Sequence, residues 1–365
     1  MTLPSIKNID FRGKRVLLRA DFNVLFGDGR IEDLYRIKKT VPTIELLKNA
    51  GAKTIILSHL SPGKGKTIKP VCEYLNEKYF KNEPVKFIEH SDIASVKQKI
   101  ADMEDGQVVL LENLRLHEGE EKNDDVFARE LASLGDIFVN DAFSVAHRRH
   151  ASVVGLPKYL PSFVGLLFEG ELSGFDSAFH PDHPFLLILG GIKAETKIGV
   201  VDKFLNIADK IFIGGALANN FFKAKGEDID GSSYNEKVSV EKYLGNAKII
   251  LPEDVRKKDG VILDVGPKSA ERLEGLIKEA RFILWNGPLG SMEEPSFEEG
   301  TKIIAMAIAN SGARTIVGGG DTVAILNELK IMDKFSFVST AGGAMLEFLA
   351  HGTLPGIEAL FKSGI

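Results

Sequence analysis

Short runs of branched aliphatic residues recur along the chain, each followed by a longer stretch with helical spacing. The first half contains RVLLRADF, TIILSH, VKFIE, VVLLEN and DIFVND; the second contains FLLILGG, KIFIGGA, KIILPED, VILDVG, FILWNGP, TIVGGGD and FSFVSTAGG. A half-exposed strand alternates apolar and polar residues, and these runs do not. Continuous apolarity over so short a length is the pattern of a strand buried on both faces, as in a parallel sheet covered by helices. Intervening segments such as RIKKTVPTIELLKNAG keep helical spacing and end on glycine, as a helix C-terminus should. Strand and helix alternating over the whole length predict an α/β fold with right-handed crossovers. About twelve strands are too many for one comfortable open sheet, so two sheets in two domains are expected.

The boundary is expected between residues 153 and 184, a stretch with four prolines. Its middle, PSFVGLLFEGELSGF, reads as one helix with Ser162 as its N-cap. This gives an N-terminal lobe over 1–160, a helix and linker over 161–184, and a C-terminal lobe over 185–345.

Composition narrows the function classes. With 44% hydrophobic and 27% charged residues the chain is an ordinary globular protein. A net charge of -5 and no basic run argue against a nucleic-acid partner. No apolar stretch is long enough to span a bilayer, and MTLPSIKNIDFRGK lacks the apolar centre of a signal peptide. The single cysteine, Cys72, excludes an internal disulfide and fits a reducing compartment. A cytoplasmic monomer is expected.

The two halves differ in how they could hold an anion. Residues 1–170 contain nine of the 13 arginines but only 12 of the 36 glycines, and the remainder of each type lies in residues 171–365. Arginine grips an anion with a planar fork of charged donors, whereas glycine lets bare backbone amides approach it closely. Ligands of open parallel sheets bind beyond the carboxyl ends of the strands. There the first half has Asp21 and Asn23, His59, Asn113 and Arg115, then Asp141 and the cluster His147-Arg148-Arg149-His150. The second has Gly190-Gly191-Ile192-Lys193, Gly214-Gly215, Gly266-Pro267, Asn286-Gly287-Pro288, Gly318-Gly319-Gly320-Asp321-Thr322 and Gly342-Gly343. The four potential cations at 147–150 are read as an anion site, a metal site or a solvated loop. No cysteine or matching pair of carboxylates completes a zinc set around the two histidines. Asp321 is expected to cap the helix beginning near Thr322, and Lys193 to stand at a strand end. Neither the P-loop pattern nor G-x-G-x-x-G is present. A nicotinamide-dependent dehydrogenase therefore stays a rival without its signature, and an inactive binding or scaffold protein is the third reading.

The stretches RVLLRADFNV, SHL, LLENLRLHEGEEKND, NDAFSVAHRRHAS, LGGIKAETKIGV, IGGALANNF, LDVGPKS, WNGPLGSMEE, IVGGGDT and STAGGAMLEF occur in this order. By these the chain resembles phosphoglycerate kinase over nearly its whole length. The resemblance implies two Rossmann-like lobes facing each other across a hinged cleft. It implies 3-phosphoglycerate or 1,3-bisphosphoglycerate on the N-terminal lobe and ADP or ATP with Mg²⁺ on the C-terminal lobe. The acid would contact Asp21, Asn23, Arg36, His59, Arg115 and Arg148. Lys193 would meet the moving phosphoryl group and Lys197 the nucleotide phosphates. Gly191, Gly214, Gly215, Asn286, Pro288 and Gly318 would line the nucleotide, Glu293 would hold the ribose, and Gly319, Gly320, Asp321 and Thr322 the Mg-phosphate end, with Asp321 toward the metal. Arg36, Lys193, Gly319 and Gly342 would be the catalytic set, and residues 346–365 would return to the first lobe. This chain departs from the family pattern in three places. SHLSPGKGK lacks the arginine of SHLGRP, Ala341 replaces a glycine, and the stretch between Gly226 and Gly266 is short. Lys64, Lys66 or Arg149 is expected to stand in for the missing arginine.

Overall fold

The structure, a computed structural model, describes residues 3–24, 26–27, 30–31, 34–61, 66–89 and 92–362. The chain divides into two compact units, Met1–Leu172 with Thr353–Ile365, and Ser173–Gly352.

The first unit contains β1 (Arg15–Arg19), the two-residue pair β2 (Phe26–Gly27) and β3 (Arg30–Ile31), then β4 (Lys53–Leu57), β5 (Lys86–Ile88), β6 (Val108–Leu111), β7 (Ile137–Asn140) and β8 (Ser162–Val164). Six of these form a wholly parallel sheet in the order β5-β6-β4-β1-β7-β8. The second unit contains β9 (Phe185–Leu189), β10 (Lys210–Ile213), β11 (Ile249–Ile250), β12 (Val255–Lys258), β13 (Val261–Val265), β14 (Phe282–Asn286), β15 (Arg314–Gly318) and β16 (Phe337–Val338). Its parallel sheet runs β11-β10-β9-β14-β15-β16. The continuous apolar runs became strands buried on both faces: every residue of β6, β7, β9 and β14 is buried. In each sheet the strand order reverses beside the first strand, between β1 and β7 and between β9 and β14. Such a reversal opens a crevice at the carboxyl ends.

Three local expectations fail. Ser162 is not an N-cap; it opens β8 and pairs with Phe138 of β7. The helix begins later, at Leu166, and runs to Phe179 through the division at residue 172. Its first amides are taken by a distant carboxylate, Asp141 Oδ1, which accepts from Leu167 N at 2.9 Å and Phe168 N at 3.1 Å. VILDVG does not join the parallel sheet. It forms β13, antiparallel to β12, in a separate hairpin. The closing segment 346–365 is shared: the helix Gly343–His351 lies in the second unit and Thr353 onward in the first.

Candidate active site

In the first unit the site grows from the end of β1. Arg19, the last strand residue, is 0% exposed. It donates from Nε to Ser152 Oγ at 2.8 Å, from Nη1 to its neighbour's carbonyl at Ala20, and from Nη2 toward His59 Nδ1 at 3.2 Å. Ser152 is held in turn by Glu120, which accepts its amide at 2.9 Å and its hydroxyl at 2.5 Å. A guanidinium has no acceptor, so His59 Nδ1 must be the lone-pair nitrogen and Nε2 the ring's donor. Burial and then the Arg19 charge keep the His59 pKa well below the usual histidine range, against the pull of Asp21. Asp21 Oδ1 lies 3.8 Å from Nδ1, but a neutral ring makes no ion pair with it.

Asp21 is tied instead to Arg36, whose Nη1 lies 3.0 Å from Oδ2. The Ser144 hydroxyl also donates to Oδ2, and the Asn23 amide donates to Oδ1 at 3.0 Å. Burial pushes this carboxyl up, but Arg36 and these hydrogen bonds outweigh it and hold the pKa below the usual carboxylate range. Arg36 Nη1 donates to Asn23 O at 3.2 Å, and Asn23 Oδ1 accepts Ser61 N at 2.8 Å. Ser61 Oγ accepts Arg115 Nη1, whose Nε lies 3.1 Å from Glu121 Oε1. Asp21, Asn23, Arg36 and Arg115 thus form one connected network, and Arg19 holds His59 beside it. Arg148 is exposed and reaches it through its field, which lowers the pKa of Arg115, His147 and His150.

The histidines at 147 and 150 are not cations at neutral pH. Burial first, then neighbouring arginines, bring both to about 4. Among the described residues no group of three or more His, Cys, Asp or Glu side chains is arranged for a metal. Of the proposed substitutes for the absent arginine, Lys64 lies outside the described residues. Lys66 is exposed and contributes its carbonyl, which accepts Asn113 Nδ2 at 3.1 Å. Arg149 is exposed.

In the second unit, backbone replaces side chain. Gly190 N donates to Asn286 O at 2.9 Å, Gly191 N to Pro288 O at 2.6 Å, and Ala216 N to Gly191 O at 3.1 Å. The three strand ends are so close that a Cβ on Gly215 would stand 2.4 Å from Gly191 N, and one on Gly287 2.3 Å from Gly190 O. Both residues also have positive φ, 58° and 92°, so only glycine fits. Gly287 N donates to Thr322 Oγ1 at 3.1 Å, which joins the end of β14 to the glycine turn after β15. Asn286 and Thr322 are buried, and Gly214 and Gly318 pack against Leu289 and Met345. These four brace the strand ends from behind.

Lys193 is exposed and precedes the helix Ala194–Phe204 at its N-cap position. Lys197, one turn on, is only 4% exposed, with Nζ 3.4 Å from Lys193 O. Burial and then Lys193 bring its pKa down to about 8, with Asp321 opposing. Asp321 is not the cap expected of it: Gly319 holds that position, and Asp321 lies in the first turn of the helix Gly320–Glu328. Ala341 is tolerated because the left-handed turn falls on Gly342, with φ 54°, while the Ala341 amide donates to Ser339 Oγ at 2.9 Å.

Beside these amides opens a cavity of about 240 Å³, which Gly191, Gly215, Pro288, Glu293 and Asp321 all line. Its walls are chiefly apolar, with Phe222, Pro252, Ile262, Leu263, Leu289 and Met292 among them. Sequence reasoning missed these wall residues. Ile262 and Leu263 lie in an ordinary apolar run and the others stand singly or in pairs, and neither setting gives a sign of which residues face a ligand.

Clustered side-chain cations at the strand ends of one parallel sheet, and backbone amides beside an apolar pocket at those of another, suit the phosphotransferase class. The sequence profile of the family described as Phosphoglycerate kinase matches residues 6–352. The phosphoglycerate kinase of Fervidobacterium nodosum is 41% identical over 392 residues, covering 98% of each chain. Among solved structures, phosphoglycerate kinase from Coxiella burnetii aligns with a TM-score of 0.83 at 34% identity, covering 99% of both chains. The crystal structure of phosphoglycerate kinase from Pyrococcus horikoshii aligns with 0.85 at 31% identity, over 99% of both. The chain belongs to the phosphoglycerate kinase family, and its class is that of phosphotransferases with a carboxyl acceptor.

Proposed function

We propose that the first unit binds 3-phosphoglycerate or 1,3-bisphosphoglycerate, that the second binds Mg-ADP or Mg-ATP, and that the phosphoryl group passes directly between them. In the ATP-forming direction the bond from the acyl oxygen to phosphorus breaks as one forms to the terminal oxygen of ADP. Arg36, Arg115 and Arg148 supply charge and forked donors for the acid, Asn23 an amide and His59 its Nε2 hydrogen. The buried Asp21 fixes Arg36, so that the fork is oriented before the substrate arrives.

The observation that carries the nucleotide half is the meeting of three glycine-rich strand ends, two lysines and an apolar pocket at one crevice of one sheet. The pocket suits a heterocyclic base, Glu293 suits the ribose hydroxyls, and the amides at the helix N-termini suit phosphate oxygens. Lys193 is assigned to the phosphoryl group in transit and Lys197 to the nucleotide phosphates. Mg²⁺ favours oxygen donors and keeps several waters and phosphate oxygens, so the lone carboxylate of Asp321 suffices as its protein group. Bound there, the ion neutralises phosphate charge. Direct transfer needs the two reactants in contact with water excluded, so the reading includes closure by hinge bending.

A cytoplasmic monomer is part of the same reading. It is supported by one buried thiol, the acidic balance, and no helix among the described residues long and apolar enough to cross a membrane. Sedimentation of the purified chain tests the oligomeric state. The deciding experiment is a coupled assay of ATP formation from 1,3-bisphosphoglycerate and Mg-ADP. Turnover is expected; binding of both ligands without turnover would leave only an inactive binding protein.

A further inference from the structure

Two of the pieces of chain that line the pocket are the hairpin β12–β13 and the segment 290–300, and the second of these carries Met292 and Glu293. The segment has little regular structure of its own before the helix Glu299–Ala309 begins, and Ser296 sits at φ 70°, where a side chain is unfavourable. Something else must hold its shape.

The holding groups are a carboxylate and a guanidinium on the hairpin. Asp264 is 2% exposed. Its Oδ2 accepts Gly300 N at 2.9 Å, and its Oδ1 accepts Val265 N at 2.9 Å. At the other end of the segment a Cβ on Gly290 would stand 2.3 Å from Asp264 Oδ1, so the same carboxylate touches both ends. Arg256 Nη1 donates to the carbonyl of the strained Ser296 at 2.6 Å and lies 3.6 Å from Asp264 Oδ2. Its guanidinium also stands 5.0 Å from the centre of the Phe297 ring. Two lesser ties run alongside: Ser291 N to Leu263 O at 2.7 Å, and Lys258 Nζ to Glu294 Oε2 at 2.5 Å.

We propose that Arg256 and Asp264 are positioning residues for the nucleotide, clamping segment 290–300 to the hairpin and so placing Glu293 and the apolar wall of Met292. This rests on the nucleotide reading of the pocket. Neither residue need touch the ligand. They act by fixing a wall that would otherwise pay its ordering cost on binding.

The clamp is sensitive to one proton. Burial raises the Asp264 pKa to about 6, against the Gly300 and Val265 amides and Arg256, and with a further push from Glu299 at the start of the neighbouring helix. The helix Gly215–Ala224 brings Asn219 and Phe222 to the same pocket. Once protonated, Asp264 is a poorer acceptor for the two amides and no longer attracts Arg256. The affinity for nucleotide should therefore fall as pH drops through 6, and removing Arg256 should move that fall to higher pH.

The test uses the full chain, with Mg-ADP binding followed by calorimetry and both KM values measured. Arg256→Ala should weaken ADP about tenfold, with kcat and the KM for 3-phosphoglycerate within about twofold of the parent. Arg256→Lys, which keeps a charged donor for Ser296 O, should recover most of the loss. Asp264→Asn should weaken ADP and flatten the dependence between about pH 7.5 and 5.5. Arg256 is partly exposed, so its variants should fold even if the Asp264 variant does not. Parental ADP affinity in Arg256→Ala, or a loss equal in Lys and Ala variants with no shift in the pH profile, overturns the clamp while leaving the nucleotide reading intact. A parent that binds no Mg-ADP overturns both.

Discussion

Under the proposed function the two units meet the same chemical problem with different materials. The proposed acid site is built of side chains: Arg36 locked by Asp21, Arg115 tied to Ser61, and His59 set by a fully buried Arg19. The proposed phosphate site is built of main chain: amides of strand ends so close that no Cβ fits between them. Each material sets what its site can discriminate. Forked side chains at fixed angles recognise one small acid by shape and charge. Backbone amides recognise any phosphate, so selectivity for the rest of a nucleotide must come from the apolar wall beside them.

The units also differ in how their charge responds to pH. With His59, His147 and His150 neutral, the positive charge of the first site comes from arginines and does not titrate near neutrality. In the second site Lys197 titrates near 8.

The largest effect is expected at Lys193. If it neutralises charge on the group in flight, Lys193→Ala should lower kcat on the order of 10²-fold or more while both KM values change little. A rise in KM alone would make this lysine a binding group and blur the distinction between holding and transferring.

Next comes Arg36→Ala, which removes one fork and strands the Asp21 carboxylate. The KM for 3-phosphoglycerate should rise about 10- to 100-fold, the worth of a charge-assisted bond plus an unpaired buried charge. The KM for ADP should not move. Parallel changes in both constants would show that the sites are not independent.

A smaller effect separates the units by pH. The Lys197 pKa is depressed in the free protein, so part of its charge is lost as pH rises through 8, and bound phosphate should restore it. ADP affinity should then fall severalfold between about pH 7.5 and 9, with proton uptake on binding, while the affinity for 3-phosphoglycerate stays flat. Calorimetry in buffers of different ionisation enthalpy reads the proton directly. Equal slopes for the two ligands would remove Lys197 from the nucleotide site.

The smallest effect is at Arg149. Exposed beside Arg148, it can add field but no fixed fork, and Arg149→Ala should raise the KM for 3-phosphoglycerate less than about threefold at low salt. A tenfold rise would mean that Arg149 turns inward and replaces the arginine absent from SHLSPGKGK.

What the sequence made legible follows from these materials. A strand end that needs a bare backbone must be glycine, and glycine is visible as a letter; Gly190, Gly215 and Gly287 could be picked out for that reason. The double-sided apolar runs were legible because burial on both faces leaves no polar alternation. Partners distant in sequence were not. Ser162 looks the same at a strand start as at a helix cap, and what decided the matter was Asp141 reaching the amides of Leu167 and Phe168. VILDVG carries no sign of its partner's direction, so its place in an antiparallel hairpin was hidden. Asp264 and Arg256 were overlooked for the same reason: LDVGPKS displays the aspartate, but the letters do not say that it and Arg256 reach Gly300 and Ser296.

The packing of strand ends in the second unit has a consequence for how such a chain can change over generations. A cavity made by side chains can drift, because a loss at one position is repaired by a larger neighbour at another. Around Gly215 and Gly287 the first atoms an added Cβ would meet are main-chain nitrogen and oxygen, which are the same whatever residue carries them. No substitution elsewhere can shrink a peptide group. These positions therefore admit no compensating mutation among their neighbours, and a saturation library selected for growth on this enzyme should return glycine there while the pocket wall at Met292 and Ile262 varies.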